Sequence, residues 1–271
     1  APMRISDYFG LWENDRRSDP ARRSLEQEKA FWHGHAAVYD QHAGLTCSSL
    51  AQIGTVTSIV EPESSILDVG GGTGRFAIPL AQRGCRVTVV GRSEDMLRVL
   101  SENAEAEEVK IETIQGQWPM DTGRVFDTVL AAWSLYWALD LAASLRALVR
   151  QARRHVIIID TTGSPTAWDH ALAAAQGEDV RVSQARHLLL AGGLAQLGIP
   201  AEIRILEEYR VVSEDELYHE VQTRGGNFSE AIRIMDSYAI GFPRGWRCRR
   251  TIGLVHVDAK GLVGALPDMP V

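Results

Sequence analysis

An α/β fold with an open, mostly parallel sheet and helices on both faces is what this sequence predicts, and two observations carry it. From residue 61 to 160, short apolar runs alternate with helical stretches, the pattern of parallel strands joined by right-handed crossovers. Several runs, among them Ile66-Leu67, Val87 to Val90 and Val156 to Ile159, are apolar on both faces, as strands covered from two sides must be. The first run ends in Gly70-Gly71-Gly72-Thr73-Gly74. Glycines there allow a sharp strand-to-helix turn, and bare amides at a helix N-terminus favour a ligand with negative or acceptor character.

The elements follow in order. Residues 1–23 are largely polar and punctuated by Pro20, with Tyr8, Phe9 and Trp12 as the only bulky aromatic groups, a docking segment or a frayed arm. Ser24-Leu25-Glu26-Gln27 is a capping-box pattern and opens a helix whose Trp32, Ala36 and Tyr39 share a face. A second helix spans about Ser48 to Val60. After the glycines, a short helix ends near Gly84, with Pro79 forcing a kink or a late start. Cys85 to Val90, Val109 to Gln115, Phe126 to Ala132 and His155 to Asp160 read as strands. Ser93 is placed to cap the helix after the first of these, and Ala138 to Arg153 reads as a helix with Leu141, Leu145 and Leu148 on one stripe. Ser164-Pro165 looks like an N-cap with proline at N1, and a further helix covers about Ser183 to Leu197. Ala201 to Val212 alternates through Ile203 and Ile205, Arg247 to Asp258 through Ile252 and Leu254, and 214–243 between them is mainly helical.

Composition narrows the function classes. The chain has 271 residues, 45% hydrophobic and 23% charged, as in ordinary soluble globular proteins. A net charge of −7 argues against a nucleic-acid footprint, and no apolar run reaches membrane-spanning length. Cys47, Cys85 and Cys248 form no C-x-x-C pair, which suits a reducing, cytoplasmic setting better than a disulfide framework. His33-x-His35 lacks a third ligand at useful spacing, so no metal is expected.

The glycine stretch is neither G-x-G-x-x-G, since Arg75 stands at the last position, nor a Walker A loop. It is Asp68-x-Gly70-x-Gly72-x-Gly74, which closely resembles motif I of class I S-adenosylmethionine (SAM) dependent methyltransferases. The resemblance covers residues 25–160 well and the remainder in outline. It implies a Rossmann-like, seven-stranded sheet with the last strand antiparallel. It divides the chain into a helical lid (1–60), a SAM-binding core (61–160) and a remainder bearing an acceptor cap (161–271). The implied function is methyl transfer from SAM, with S-adenosylhomocysteine (SAH) as product, to a small aromatic metabolite of a biosynthetic pathway. No nucleic-acid or membrane partner is expected, and a homodimer is. A second reading is a methyltransferase-like cyclase acting on a SAM-derived adduct, and a third a non-catalytic SAM-binding protein.

The resemblance also assigns residues. In this family the glycine loop (Gly70, Gly71, Gly72) underlies the amino-acid and ribose part of SAM, Asp68 helps hold the ammonium, and a tyrosine at the end of the first helix, here Tyr39, closes over it. Two positions depart from the family. Gly91 replaces the carboxylate that normally takes both ribose hydroxyls, leaving Arg92, Ser93 or a water to serve; Met96 follows in the same stretch. Gln117 stands in place of the acid on the adenine amine, with Trp118 expected over the adenine face. Trp133, Tyr136 and Trp137 at a strand end offer aromatic faces to a sulfonium and a planar acceptor. Phe31, Trp32 and Trp168 join them as substrate candidates, and Tyr136 or His33 as general base.

Overall fold

The computed structural model describes residues 7–18, 24, 26–27, 30–33, 36 and 50–262. Helix α1 (Tyr8–Ser18) is docked: Trp12 is fully buried, and its indole nitrogen donates to the Ala138 carbonyl at 2.6 Å. The capping box is formed, Gln27 N–H donating to Ser24 Oγ at 3.2 Å and Ser24 N–H to Gln27 Oε1 at 2.8 Å. Of the helix it opens, residues 26–27, 30–33 and 36 are described and helical. Ala36, with Trp32 beside it, packs against Met96 and Val99. Helix α2 (Leu50–Ile59) leads into β1 (Ser65–Val69).

Beyond the glycine loop, α3 (Ala77–Gln82) starts late, so Pro79 falls in its first turn, where no amide partner is lost. Next come β2 (Arg86–Gly91), α4 (Glu94–Ala106), β3 (Ile111–Gln115) and β4 (Phe126–Ala132). Ser93 caps α4, its side chain accepting from Met96 N–H. The helix expected over 138–153 is shorter, α5 (Leu141–Arg150), because Asp140 caps its start and β5 (Ala152–Thr161) claims Ala152 and Arg153. Helix α6 (Ala167–Gln176) is capped by Thr166 and not by Ser164; Asp169 at N3 completes a capping box that only Thr166 can close. Helix α7 (Arg186–Gln196) and β6 (Glu202–Ser213) follow. The cap consists of α8 (Glu214–Thr223) and α9 (Phe228–Tyr238), then β7 (Ile240–Phe242) and β8 (Gly245–Asp258).

The strand order is β3-β2-β1-β4-β5-β8-β6, with β7 added on β8, so the sheet has eight strands where seven were expected. β1 to β5 run parallel, and β8 lies antiparallel between β5 and β6. Two hydrophobic clusters cover its faces. Leu67, Val69, Val129, Val156 and Ile158 pack with Trp12 and with Leu145 and Leu148 of α5. Ile66, Val87, Leu130 and Ile157 pack with Val56 of α2 and Leu80 of α3. A third cluster lies within the cap, around Leu217, Met235 and Trp246. The apolar alternation in β6 misleads: Ile203 and Ile205 are 42% and 52% exposed. They lie on an edge strand, and the covering helix α7 sets His187 against Gly253 of β8, one strand further in. Among the described residues no helix is long and apolar enough to cross a membrane, and no group of acids, histidines and cysteines could hold a metal ion.

Candidate cofactor site

The carboxyl ends of β1, β2, β3 and β4 converge where strand order reverses between β1 and β4, the place where open α/β sheets bind ligands. The glycine loop sits at the tip of β1, anchored by Gly70 N–H donating to the Val90 carbonyl at 2.7 Å. Gly70, Gly72 and Gly74 have φ of +72°, +59° and +105°, the region closed to most side chains. Space adds a second requirement. A Cβ on Gly70 would lie 2.5 Å from Ser134 Cβ, one on Gly71 2.6 Å from Asp68 Oδ2, and one on Gly74 2.6 Å from Leu100 Cδ1. Gly72 is different: its nearest neighbour would be Met96 Cε at 3.5 Å, so its outer side is open.

Asp68 lies directly behind this loop. It is 1% exposed, and neither carboxylate oxygen has a hydrogen-bond partner among the described residues. Burial pushes its pKa up to about 7. Ser134 Oγ, across the loop, is likewise buried and unpartnered. Since a buried polar group without a partner costs about 1–3 kcal/mol, two such groups flanking one glycine loop mark a place that a polar, cationic ligand would complete. The donor set therefore fits the amino-acid end of SAM.

Beside the glycine loop lie the loops after β2 and β3, tied together by Gly116 N–H donating to the Gly91 carbonyl at 3.0 Å. Here a cavity of about 350 Å³ is lined by Ala30, His33, Arg92, Ser93, Glu94, Asp95 and Gln115. His33 Nδ1 lies 3.0 Å from Asp95 Oδ2, which joins the helical segment 30–33 to α4 at the cavity rim. The Arg92 guanidinium lies 5.1 Å from the Trp137 ring centroid, bridging the loops after β2 and β4. Gly91 has no carboxylate to offer, and a Cβ there would lie 2.7 Å from Leu97 Cδ2.

The expected site residues thus divide. Asp68, Gly70, Gly71, Gly72, Met96, Gly91, Arg92 and His33 gather around the loop and the cavity. Gln117 is exposed on the connection after β3. Phe31 and Trp32 meet edge to face on the helical segment 30–33, centroids 4.9 Å apart. Tyr136 and Trp137 are half-buried in the loop after β4, and Arg16 Nη1 donates to the Tyr136 carbonyl at 3.0 Å. Trp118 does not lie open to an adenine. It is 1% exposed in the main core, its indole donating to the Ser144 carbonyl at 3.3 Å, because α5 offers that nitrogen a partner where solvent offers none. Trp168 packs in the cap cluster with Arg210 over its ring at 4.9 Å. Tyr39 lies outside the described residues. Sequence reasoning passed over Ser134 and also Gln52, which accepts from Trp133 Nε1 at 2.8 Å. Their one signal is position: a polar residue in a run otherwise apolar.

Residues 66–157 match the family model described as a methyltransferase domain. A Geobacillus sp. (strain WCH70) protein provisionally named a methyltransferase is 38% identical over 89 residues, 32% of this chain and 34% of its own length. An uncharacterised protein of Haemophilus influenzae is 27% identical over 165 residues, 60% of each chain. The chain thus spans 34% and 60% of the lengths of these two curated relatives. A crystal structure from Bacillus halodurans C-125, provisionally named a methyltransferase, superposes with a TM-score of 0.51 at 15% identity, over 78% of this chain and 99% of that one. At that identity the likeness is one of fold.

Proposed function

We propose, on the premise that residues 66–157 form a methyltransferase domain within a class I methyltransferase sheet, that this chain binds SAM and methylates a small aromatic metabolite. The observation that supports this most is the unpartnered Asp68 carboxylate behind three left-handed glycines. Bound there, the cofactor would supply an electrophilic methyl group on a sulfonium. What remains for the protein is binding, alignment and the handling of one proton.

In this reading Asp68, Ser134 and the loop amides hold the amino-acid end of the cofactor. Gly91, Arg92, Met96 and Gln117 serve the ribose and adenine end, and Tyr39 keeps the role the family resemblance gives it. Trp133 and Trp137 flank the methyl group and the acceptor, with Phe31, Trp32 and the cap residue Trp168 on the acceptor side. His33 is the favoured base, since contact with Asp95 orients its ring at the cavity rim, and Tyr136 is the alternative. The same reading includes a biosynthetic role in the cytoplasm and a homodimer. The acidic net charge supports a small-molecule acceptor over a nucleic acid.

Calorimetric titration of the purified protein with SAM and SAH tests this. Micromolar binding of both is expected, and its loss in Gly72→Val, whose side chain would project into the open side of the loop. No binding of either ligand by the unsubstituted protein would refute the reading.

A further inference from the structure

A line of hydrogen bonds, buried at its centre, runs from the cofactor site to the far edge of the sheet. Trp133 Nε1 donates to Gln52 Oε1 at 2.8 Å, and Gln52 Nε2 donates to Glu208 Oε2 at 3.0 Å. Gln52 N–H also donates to Glu208 Oε1 at 3.3 Å. Arg250 completes the line, Nε and Nη2 donating to Glu208 Oε2 at 3.2 and 3.0 Å. Gln52 is fully buried and the Glu208 side chain is 1% exposed. Four elements contribute: α2 gives Gln52, β6 Glu208, β8 Arg250, and the turn after β4 Trp133.

A buried carboxylate is costly unless paired and hydrogen-bonded, and replacing such a group with apolar residues is often neutral or stabilising. Global stability alone therefore accounts poorly for placing Glu208 and Gln52 here. The end of the line gives a better account. Trp133 has φ +54°, a left-handed backbone that is costly for an aromatic residue and persists only where the surroundings hold it. Its amide donates to the Ile159 carbonyl at 2.9 Å, and among the described residues its indole has one side-chain partner, Gln52. The next residue is Ser134, whose Cβ stands where a Cβ on Gly70 would be and whose hydroxyl is unpartnered. Rotation of Trp133 would carry Ser134 away from the glycine loop.

We propose that Gln52, Glu208 and Arg250 are positioning residues: they hold the Trp133–Ser134 turn against the glycine loop and so set affinity for the cofactor. This rests on the cofactor reading above. The test is a double-mutant cycle read by SAH calorimetry. Gln52→Leu is expected to weaken SAH at least tenfold in the unsubstituted protein, yet at most twofold in a Trp133→Phe background, where the indole N–H is already gone. Glu208→Gln keeps the packing volume and should show the same non-additivity if Gln52→Leu fails to fold. Equal losses in both backgrounds, as a purely structural tie between α2 and β6 would give, overturn the proposal, as do unchanged affinities. A failure of the cofactor reading is separate, since the unsubstituted protein would then bind no SAH at all.

Discussion

Asp68 is an acid without a counter-charge, and the sign of its behaviour follows from that. Burial raises its pKa to about 7, so the folded protein keeps the proton through a range in which the unfolded chain, with a pKa near 3.8, has lost it. Its contribution to stability is therefore lost as pH rises from about 4 towards 7. A ligand ammonium favours the ionised form, so SAH affinity should fall about tenfold per pH unit below about pH 7 and level off above it. Asp68→Asn should weaken SAH binding at pH 8, flatten this profile, and raise Tm by removing an ionised group that costs about 1–3 kcal/mol to leave unpaired. Calorimetry from pH 5.5 to 8.5, with melts of both proteins, measures all three. A pH-independent affinity for the unsubstituted protein would show that Asp68 does not face the ligand's charge.

Helix α1 is the element whose role the residues alone could not decide. Its trio of aromatics was compatible with docking or fraying, since burial of a Trp depends on a surface supplied by residues over a hundred positions away. In the fold Trp12 reaches Ala138 and Arg16 reaches Tyr136, both in the connection between β4 and α5. Trp12→Ala should cost about 3–5 kcal/mol by cavity formation and lower the denaturant midpoint accordingly. It should also weaken acceptor binding more than SAH binding, because the connection it supports carries Tyr136 and Trp137. Equal loss of both would assign α1 to general stability only.

Elements with strong local signals were legible throughout. β1, β4 and β5 are apolar on both faces, the glycine loop has its spacing, and Ser93 caps α4 as its position indicates. The misreadings share a cause. Thr166 over Ser164 was decided by Asp169 three residues on, and Trp118's inward turn by a carbonyl of α5. Ile203 and Ile205 face outward because their strand is an edge, which is a property of strand order and not of the strand. Likewise Asp68 and Gly70–Gly74 stand together in the chain and are legible there as a candidate site, whereas the Gln52–Glu208–Arg250 line joins residues 156 and 42 positions apart.

Across the whole molecule, the end of the sheet opposite the site has a histidine pair of its own. His155 Nδ1 and His256 Nε2 are 3.1 Å apart where β5 meets β8, with Glu61 3.7 Å from the first and Glu202 4.0 Å from the second. Burial, then the charge of His155, lowers the His256 pKa below its ordinary 6.5, and burial does the same for His187. For a depressed histidine the unfolded chain binds the proton first, so stability is lost as pH falls through about 6.5 towards the folded value. Because Asp68 acts in the opposite sense over the same interval, the effect is read in the Asp68→Asn background, where Tm should drop between pH 7.5 and 5.5 and a further His256→Gln should reduce that drop. A melt unchanged over this interval in both proteins would contradict it.

The outer rim of β6 has a consequence for handling the protein. A twelve-residue strand with a free edge and two exposed isoleucines is a template on which a second chain can add itself. What stands against this is the ionised fringe of Glu202, Arg204 and Glu207 along the same strand, all of it exposed. Salt that shields the fringe should then favour pairing along this flank, and light scattering that rises with ionic strength would show it.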